Sequence, residues 1–338
     1  MKKNLEDLLL DGLQATIGVS PSMYLNVLYP TFVKVMRFIA QRPQAAYADR
    51  KLREIFSETN WALDAHKLEA FFQLVGELQF WMLAEERGVH LERVSEGRAK
   101  TPDFREIGDS ENSPRFEVKT LSVQSGWRSL AQMAEESFET QLQIQRKING
   151  GAIVATGIQS IAPHGDVPRG KEWTEMCKHL ISKATSNIKM GQYSGAPTFL
   201  ALNLMLIDGH FNGSSDVRPV APGYPDPWSV HTGVMWTTGF GTLGQIVHGQ
   251  PEFEGKPGIE GTLGCEGVLI NPDHEGIAGL IFVVHRLGDE PTLYGLMHSG
   301  LDDGFEANDP AVLAAFRKLV KHCWNDEVDS NGWQLTSH

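Results

Sequence analysis

Two apolar runs, residues 199–207 and 280–284, constrain this chain more than any other feature in it. Each is half the length of a bilayer-spanning helix or less, so both read as buried strands and not as membrane spans. Around them, apolar residues recur at three- and four-residue spacing, the period of helices. Segments of both kinds in one chain make the expected fold α/β, with a central mixed β-sheet flanked by helices. An N-terminal helical region and a late Gly/Pro-rich insertion complete that expectation.

Residues 1–60 read as helical, with Leu8, Leu9, Leu10 and Leu13 opening an amphipathic turn and residues 23–39 continuing the pattern. A long helix is expected over 61–87, with Gly88 placed to stop it. Strands follow at 89–94, 103–107 and 115–123, then a helix over 129–147. An extended segment at 152–161, a helix over 174–190 and the strongest strand of the chain, 198–207, come next. Gly, Pro, Ser and Asn then crowd residues 208–263, which implies long loops around one strand at 229–236. Strands at 267–270, 278–285 and 292–297 and a helix over 310–324 finish the chain. The domains expected are a helical region 1–60, a core 61–206, and a segment 207–338 that carries the insertion, further strands and the C-terminal helix.

Composition sets outer limits. Three cysteines, Cys177, Cys265 and Cys323, are widely spaced and form no CxxC pair, which argues against a disulfide framework or a Cys-rich zinc site. Free thiols suit a reducing cytoplasm, and Glu6, Asp7 and Asp11 interrupt the apolar run that an export signal after Met-Lys-Lys would need. The net charge of −12 opposes a phosphate-rich ligand at first sight. Its distribution matters more: residues 1–190 hold 24 Lys or Arg against 24 Asp or Glu, whereas residues 191–338 hold 6 against 18. A phosphate-binding surface is therefore expected in the first half. The acidic second half reads as a solvated face or a surface for a protein partner or a second copy.

The chemistry lies in residues 101–121. Here Thr-Pro-Asp-Phe is followed by a polar turn and then by Arg-Phe-Glu-Val-Lys-Thr-Leu. Strand alternation puts Phe116 and Val118 on one face and Glu117 and Lys119 on the other. A hairpin through residues 108–113 would bring Asp103 beside them. Two carboxylates with an ammonium suit a hard divalent cation, which takes oxygen ligands and keeps positions for water and substrate phosphate. Such an ion acidifies a bound water and offsets charge that develops on phosphorus. Lys119 would orient the water or stabilise the pentavalent state.

On these residues the chain resembles the PD-(D/E)xK nuclease superfamily. Pro102-Asp103 matches its first signature, and Glu117-Val118-Lys119 matches its second. The family's α-β-β-β-α-β order also fits residues 61–206. The resemblance implies a restriction-endonuclease-like core in which Asp103, Glu117 and the Val118 carbonyl bind Mg2+ or Mn2+. The family's additional acidic residue, on the helix before the first strand, would be Glu77, mid-helix on the stripe with Gln73 and Trp81. Glu85 and Glu86, near the helix end, read as solvated.

Other signals weigh less. Pro225-Asp226 with Glu254-Gly255-Lys256 repeats the motif, but flanking Gly and Pro argue against a strand there. Gly239-Phe-Gly241-Thr-Leu-Gly244 matches GxGxxG, yet too few residues follow before Gly249 and Pro251 for a full crossover helix. Arg169, Lys171, Lys178, Lys183 and Lys189 form a candidate phosphate-tracking face, or equally a solvated helix side. Trp127 is a base-stacking candidate, whereas Trp61 and Trp81 read as core. The twelve histidines show no HExxH spacing, and no GxSxG elbow is present.

The expected function is Mg2+- or Mn2+-dependent hydrolysis of phosphodiester bonds, in DNA ahead of RNA. Asp103 and Glu117 would hold the metal, Lys119 would serve the water and Glu77 would support the site. Two rivals stand beside it: a catalytically silent nuclease-fold subunit that binds a partner, and a nucleotide-dependent oxidoreductase built on Gly239–Gly244.

Overall fold

A computed structural model describes residues 3–14, 22–58, 60–95, 101–108, 112–121, 130–157, 172–186, 188–193, 195–206, 234–251, 257–274, 276–285, 290–297, 310–320 and 322–324. The chain divides into two compact units. One comprises Met1–Gln79 and Ser122–Asp166, the other Phe80–Leu121 and Val167–His338. This division crosses the 61–206 segment expected as one core, because the boundary falls inside the long helix and again after residue 121. Among the described residues no helix is long and apolar enough to cross a membrane.

The first unit is helical, as the opening residues imply. It holds α1 (Leu5–Gln14), α2 (Ser22–Ala40), α3 (Ala46–Ile55), most of α4 (Ala65–Glu86) and α5 (Leu130–Asn149). Aromatic rings make its core. Phe71 meets Phe32 edge-on at 5.0 Å and Trp61 at 4.8 Å between ring centroids. Such offset and edge-to-face pairs add to what area burial alone contributes. Gly12 of α1 lies against the Trp61 indole, where a Cβ would sit only 1.8 Å from Nε1, so the packing admits no larger residue.

Helix α4 begins and ends on recognisable caps. Asp64 Oδ1 accepts the Lys67 N–H at 2.9 Å, an N-cap, and residues 61–63 form a 3-10 turn before it. Gly88 terminates the helix at φ +74, the left-handed conformation that glycine adopts at low cost.

The second unit is built on a sheet. Its strands are β1 (Leu91–Arg93), β2 (Phe104–Glu106), β3 (Arg115–Thr120), β4 (Thr198–Asn203), β5 (Ile246–Pro251), β6 (Pro257–Thr262), β7 (Ile277–Val284), β8 (Thr292–Met297) and β9 (His322–Trp324). Seven of them form one mixed sheet in the order β1-β2-β3-β4-β7-β8-β9, and β5 pairs with β6 alone. The β1–β2, β2–β3 and β7–β8 pairs are antiparallel; β3–β4, β4–β7 and β8–β9 are parallel. Every residue of β4 and β7 is buried, as their continuous apolar sequences require. The α/β class with a mixed sheet flanked by helices, here α6 (Glu172–Thr185), α7 (Val234–Phe240) and α8 (Pro310–Leu319), is thus present.

An aromatic row crosses one face of this sheet. Phe80, from the end of α4, lies 5.4 Å from Phe116 of β3. Phe116 stacks on Phe199 of β4 at 5.8 Å, and Phe199 on Phe316 of α8 at 4.9 Å. Gly279 of β7 makes room for it, since a Cβ there would press on the Phe199 ring at 3.2 Å and on the Leu296 carbonyl at 2.5 Å.

Several local expectations are corrected. Residues 234–236, expected in a strand, open α7, and the remainder of that strand lies outside the described residues. Residues 268–270 form a turn and not a strand, because their segment closes the end of α7. Val268 N–H donates to the Thr238 carbonyl and Leu269 N–H to that of Gly239, at 2.8 and 2.9 Å. Gly239 lies within α7, so among the described residues a helix, and not the strand that a dinucleotide loop would follow, precedes Gly241–Gly244. The final helix stops at Leu319, and residues 322–324 join the sheet as β9. Strands do flank residues 252–256, since β5 and β6 pair across them. Residues 152–157 form no strand. Glu85 is not solvated: its carboxylate accepts from Leu91 N–H at 3.0 Å and Trp81 Nε1 at 3.3 Å, tying α4 to β1.

Candidate active site

The site grows from the β2–β3 hairpin. Phe104 pairs with Phe116 at the start of β2, and one residue earlier the Asp103 carbonyl accepts Val94 N–H at 2.9 Å, which continues the β1–β2 ladder past the end of the β2–β3 pairing. The β3 amide that loses a ladder partner is satisfied by the Asp103 side chain, whose Oδ2 accepts Val118 N–H at 2.8 Å. Asp103 is thereby fixed against the strand that carries Glu117 and Lys119. Burial along β3 alternates, with Phe116, Val118 and Thr120 buried and Glu117 and Lys119 partly so. The alternation and the hairpin together deliver the three side chains that the motif names.

Glu117 is the unusual member. Its Oε2 is buried and has no hydrogen-bond partner. Burial, and then the neighbouring charge of Asp103, push its carboxyl up to about 8, against a hydrogen bond from Gln192 and the charges of Lys119 and Lys189. A carboxyl in such a position holds its proton at neutral pH unless a cation displaces it.

Lys119 points to the end of α6. Its Nζ donates to the Ala184 carbonyl at 3.0 Å and to the Ser186 carbonyl at 2.6 Å. Helix C-termini leave carbonyls without intrahelical donors and carry partial negative charge, so an ammonium there is doubly favourable. Burial lowers the Lys119 pKa, Lys189 lowers it further, and Glu117 opposes both. Glu117 and Lys119 are not a simple surface ion pair: one carries a buried oxygen without a partner, and the other donates to carbonyls at the end of α6.

Two further groups come from the 3-10 turn Met190–Tyr193 that precedes β4. Gln192 hydrogen-bonds Glu117, and its Nε2 also donates to the Thr101 carbonyl at 3.3 Å, beside Asp103 in sequence. Tyr193 is buried and its hydroxyl has no partner. Burial, then the charges of Glu117 and Asp103, hold that phenol above its ordinary pKa, so it stays protonated. Sequence reading missed Gln192 and Tyr193, because nothing in a Gly-Gln-Tyr turn marks it as belonging to residues 103–119.

The other candidates fall elsewhere. Glu77, on the part of α4 in the first unit, lines a cavity of about 480 Å3 with Lys51, Glu54, His66 and Lys67. Lys178 pairs with Glu175 at 3.3 Å, and its charge acts on Cys265. Lys183 is half-buried on α6. Trp127, Arg169 and Lys171 lie outside the described residues. Trp61 and Trp81 are core residues, each 1% exposed.

The donor set suits a hard divalent ion. Among the described residues no three His, Cys, Asp or Glu side chains gather as ligands. Asp103 and Glu117 would provide two carboxylates, with the Val118 carbonyl as a third protein oxygen, and magnesium commonly binds through one or two carboxylates while keeping several waters. The open Glu117 oxygen beside a second carboxylate is the local feature that such an ion would satisfy. No family model, curated protein or solved structure matches the chain.

Proposed function

We propose that this chain is a Mg2+- or Mn2+-dependent phosphodiesterase that hydrolyses DNA, and RNA less readily, within a reducing cytoplasm. The observation that carries the reading is the buried, unpartnered Glu117 Oε2 beside Asp103. A buried polar group left unsatisfied costs about 1–3 kcal/mol, a cost that a ligand would remove. The order α4, β1–β3, α5 and α6, then β4 supports the resemblance to the PD-(D/E)xK core.

In this reading Asp103 and Glu117 hold the ion, with Gln192 orienting the Glu117 carboxylate. When bound, the ion supplies an acidified water and neutralises charge developing at phosphorus. Lys119, lowered from its ordinary pKa by burial, uses the N–H that the two carbonyls leave to orient the attacking water or to stabilise the pentavalent state. Lys189 adds positive charge at the same place.

The test is cleavage of supercoiled plasmid, single-stranded DNA and RNA with magnesium or manganese, beside Asp103→Ala and Lys119→Ala. Metal-dependent cutting that disappears in both variants supports the reading and names the substrate. An inert wild type, or variants that cut equally well, sinks it. One observation favours a second reading, a catalytically silent subunit that binds a partner through its acidic half: Lys119 is already engaged by the α6 carbonyls. Calorimetric binding of Mg2+ without cleavage of any of the three substrates would support that alternative.

A further inference from the structure

Tyr193 is the second unsatisfied group at this centre. Its side chain is buried, 4% exposed, and its hydroxyl makes no hydrogen bond. A buried phenol normally finds a partner, and an orphan of this kind calls for an explanation. Its place in the fold supplies one. The preceding residue, Gln192, binds both Glu117 and the Thr101 carbonyl, two residues before Asp103. Thr198 Oγ1, at the start of β4, is 3.4 Å from the Gln192 carbonyl, which ties the turn to the strand beside β3. Gln192 is therefore held through both its side chain and its carbonyl, and Tyr193 follows it directly in the chain.

The chemistry is complementary. Asp103 and Glu117 are acceptors only when ionised, and a cation held between them would take up their lone pairs. The hydroxyl, close enough for the charges of both carboxylates to act on it, is then left as an unused donor beside them. We propose that Tyr193 is a substrate-contacting residue of this centre, its phenol donating a hydrogen bond to a non-bridging oxygen of the phosphodiester being cut. The inference rests on the phosphodiesterase reading above and extends it to a residue that the motif does not contain. A preorganised neutral donor aimed at oxygens that gain charge in the transition state is the arrangement that electrostatic catalysis uses.

The test is Tyr193→Phe, which removes one oxygen and no ring packing. Four measurements are made beside the wild type: thermal midpoint, affinity for a fluorescein-labelled DNA duplex by anisotropy in calcium, kcat/KM in magnesium, and magnesium affinity of the DNA-free protein. Calcium accepts the same oxygen ligands, so the binding measurement does not depend on turnover. The thermal midpoint should hold or rise, because the hydroxyl has no partner to lose. Duplex affinity should fall roughly tenfold, the scale of one hydrogen bond to a charged group, and kcat/KM by about a hundredfold. Magnesium affinity of the DNA-free protein should not change.

Equal binding and cleavage by Tyr193→Phe and a working wild type would overturn this inference and leave the phosphodiesterase reading standing. A midpoint that drops by more than about 4 °C would overturn it as well, since the hydroxyl would then have a structural partner. A wild type that neither binds nor cuts DNA with any of the three cations overturns both.

Discussion

The two faces of β3 are made from alternate residues of six, yet they solve opposite problems. On one face Phe116 sits in a row of rings running from Phe80 to Phe316, and every apolar group is matched. On the other, Glu117 keeps a buried oxygen without a partner, and Lys119 is drawn to the end of α6. The first face stabilises the sheet. The second is stable only because the first is, and its unmet groups are what a ligand would bind. Strain of this sort is retained where function requires it and offset by packing elsewhere.

The largest effect should come from the satisfied face. Phe116→Ala removes the central ring of the row and should cost about 3–5 kcal/mol in urea unfolding. Cation binding by the fraction that remains folded should persist. Loss of cation binding at unchanged stability would mean that the two faces are not separable, and the comparison would break.

Glu117→Gln should act in the reverse sense. Cleavage should fall by at least about a hundredfold, while the metal-free protein should melt at a higher temperature at pH 8. The sign follows from proton binding. The folded carboxyl titrates at about 8 against an ordinary 4.5, so between those values the folded state holds a proton that the unfolded chain has released. Stability of the metal-free wild type should therefore decline as pH rises through that window and level off above it. In Glu117→Gln this contribution to the decline should vanish. A variant that melts below the wild type at pH 8 would show that the carboxylate has a stabilising partner after all.

The smallest effect on stability belongs to Lys119→Met, which keeps the stem and removes the ammonium. Two carbonyls at the end of α6 lose a donor, which should lower stability by about 1 kcal/mol, or roughly 2–4 °C in thermal midpoint. An unchanged midpoint would show that capping contributes nothing and that the lysine is kept for chemistry alone.

What was legible in the sequence had local causes. Asp103, Glu117 and Lys119 lie within one hairpin, and strand alternation alone assigns the last two to one face. The buried strands β4 and β7 were visible because interior strands have no polar face to interrupt them. What was illegible depends on distant partners. Gln192 and Tyr193 belong to the site only because β4 lies parallel to β3 and carries the preceding turn with it. Residues 267–270 look like a strand in composition, but the Val268 and Leu269 amides are taken by α7, an element that cannot be anticipated from those four residues. Glu85 resembles a solvated helix-end residue until β1 folds back to offer it Leu91 N–H.

The parallel pairing of β3 with β4 also sets an order of events. Asp103 and Glu117 are joined by a short hairpin, which closes early because few residues intervene. Matching Lys119 with Leu202 requires the chain to bring together segments separated by roughly eighty residues, a slower search. The two acids should therefore meet before Lys189, Gln192 and Tyr193 arrive. For an interval during folding, this chain would offer a cation its carboxylates without the groups that make the ion useful, so added Mg2+ should speed the early phase of refolding and leave the late one unchanged.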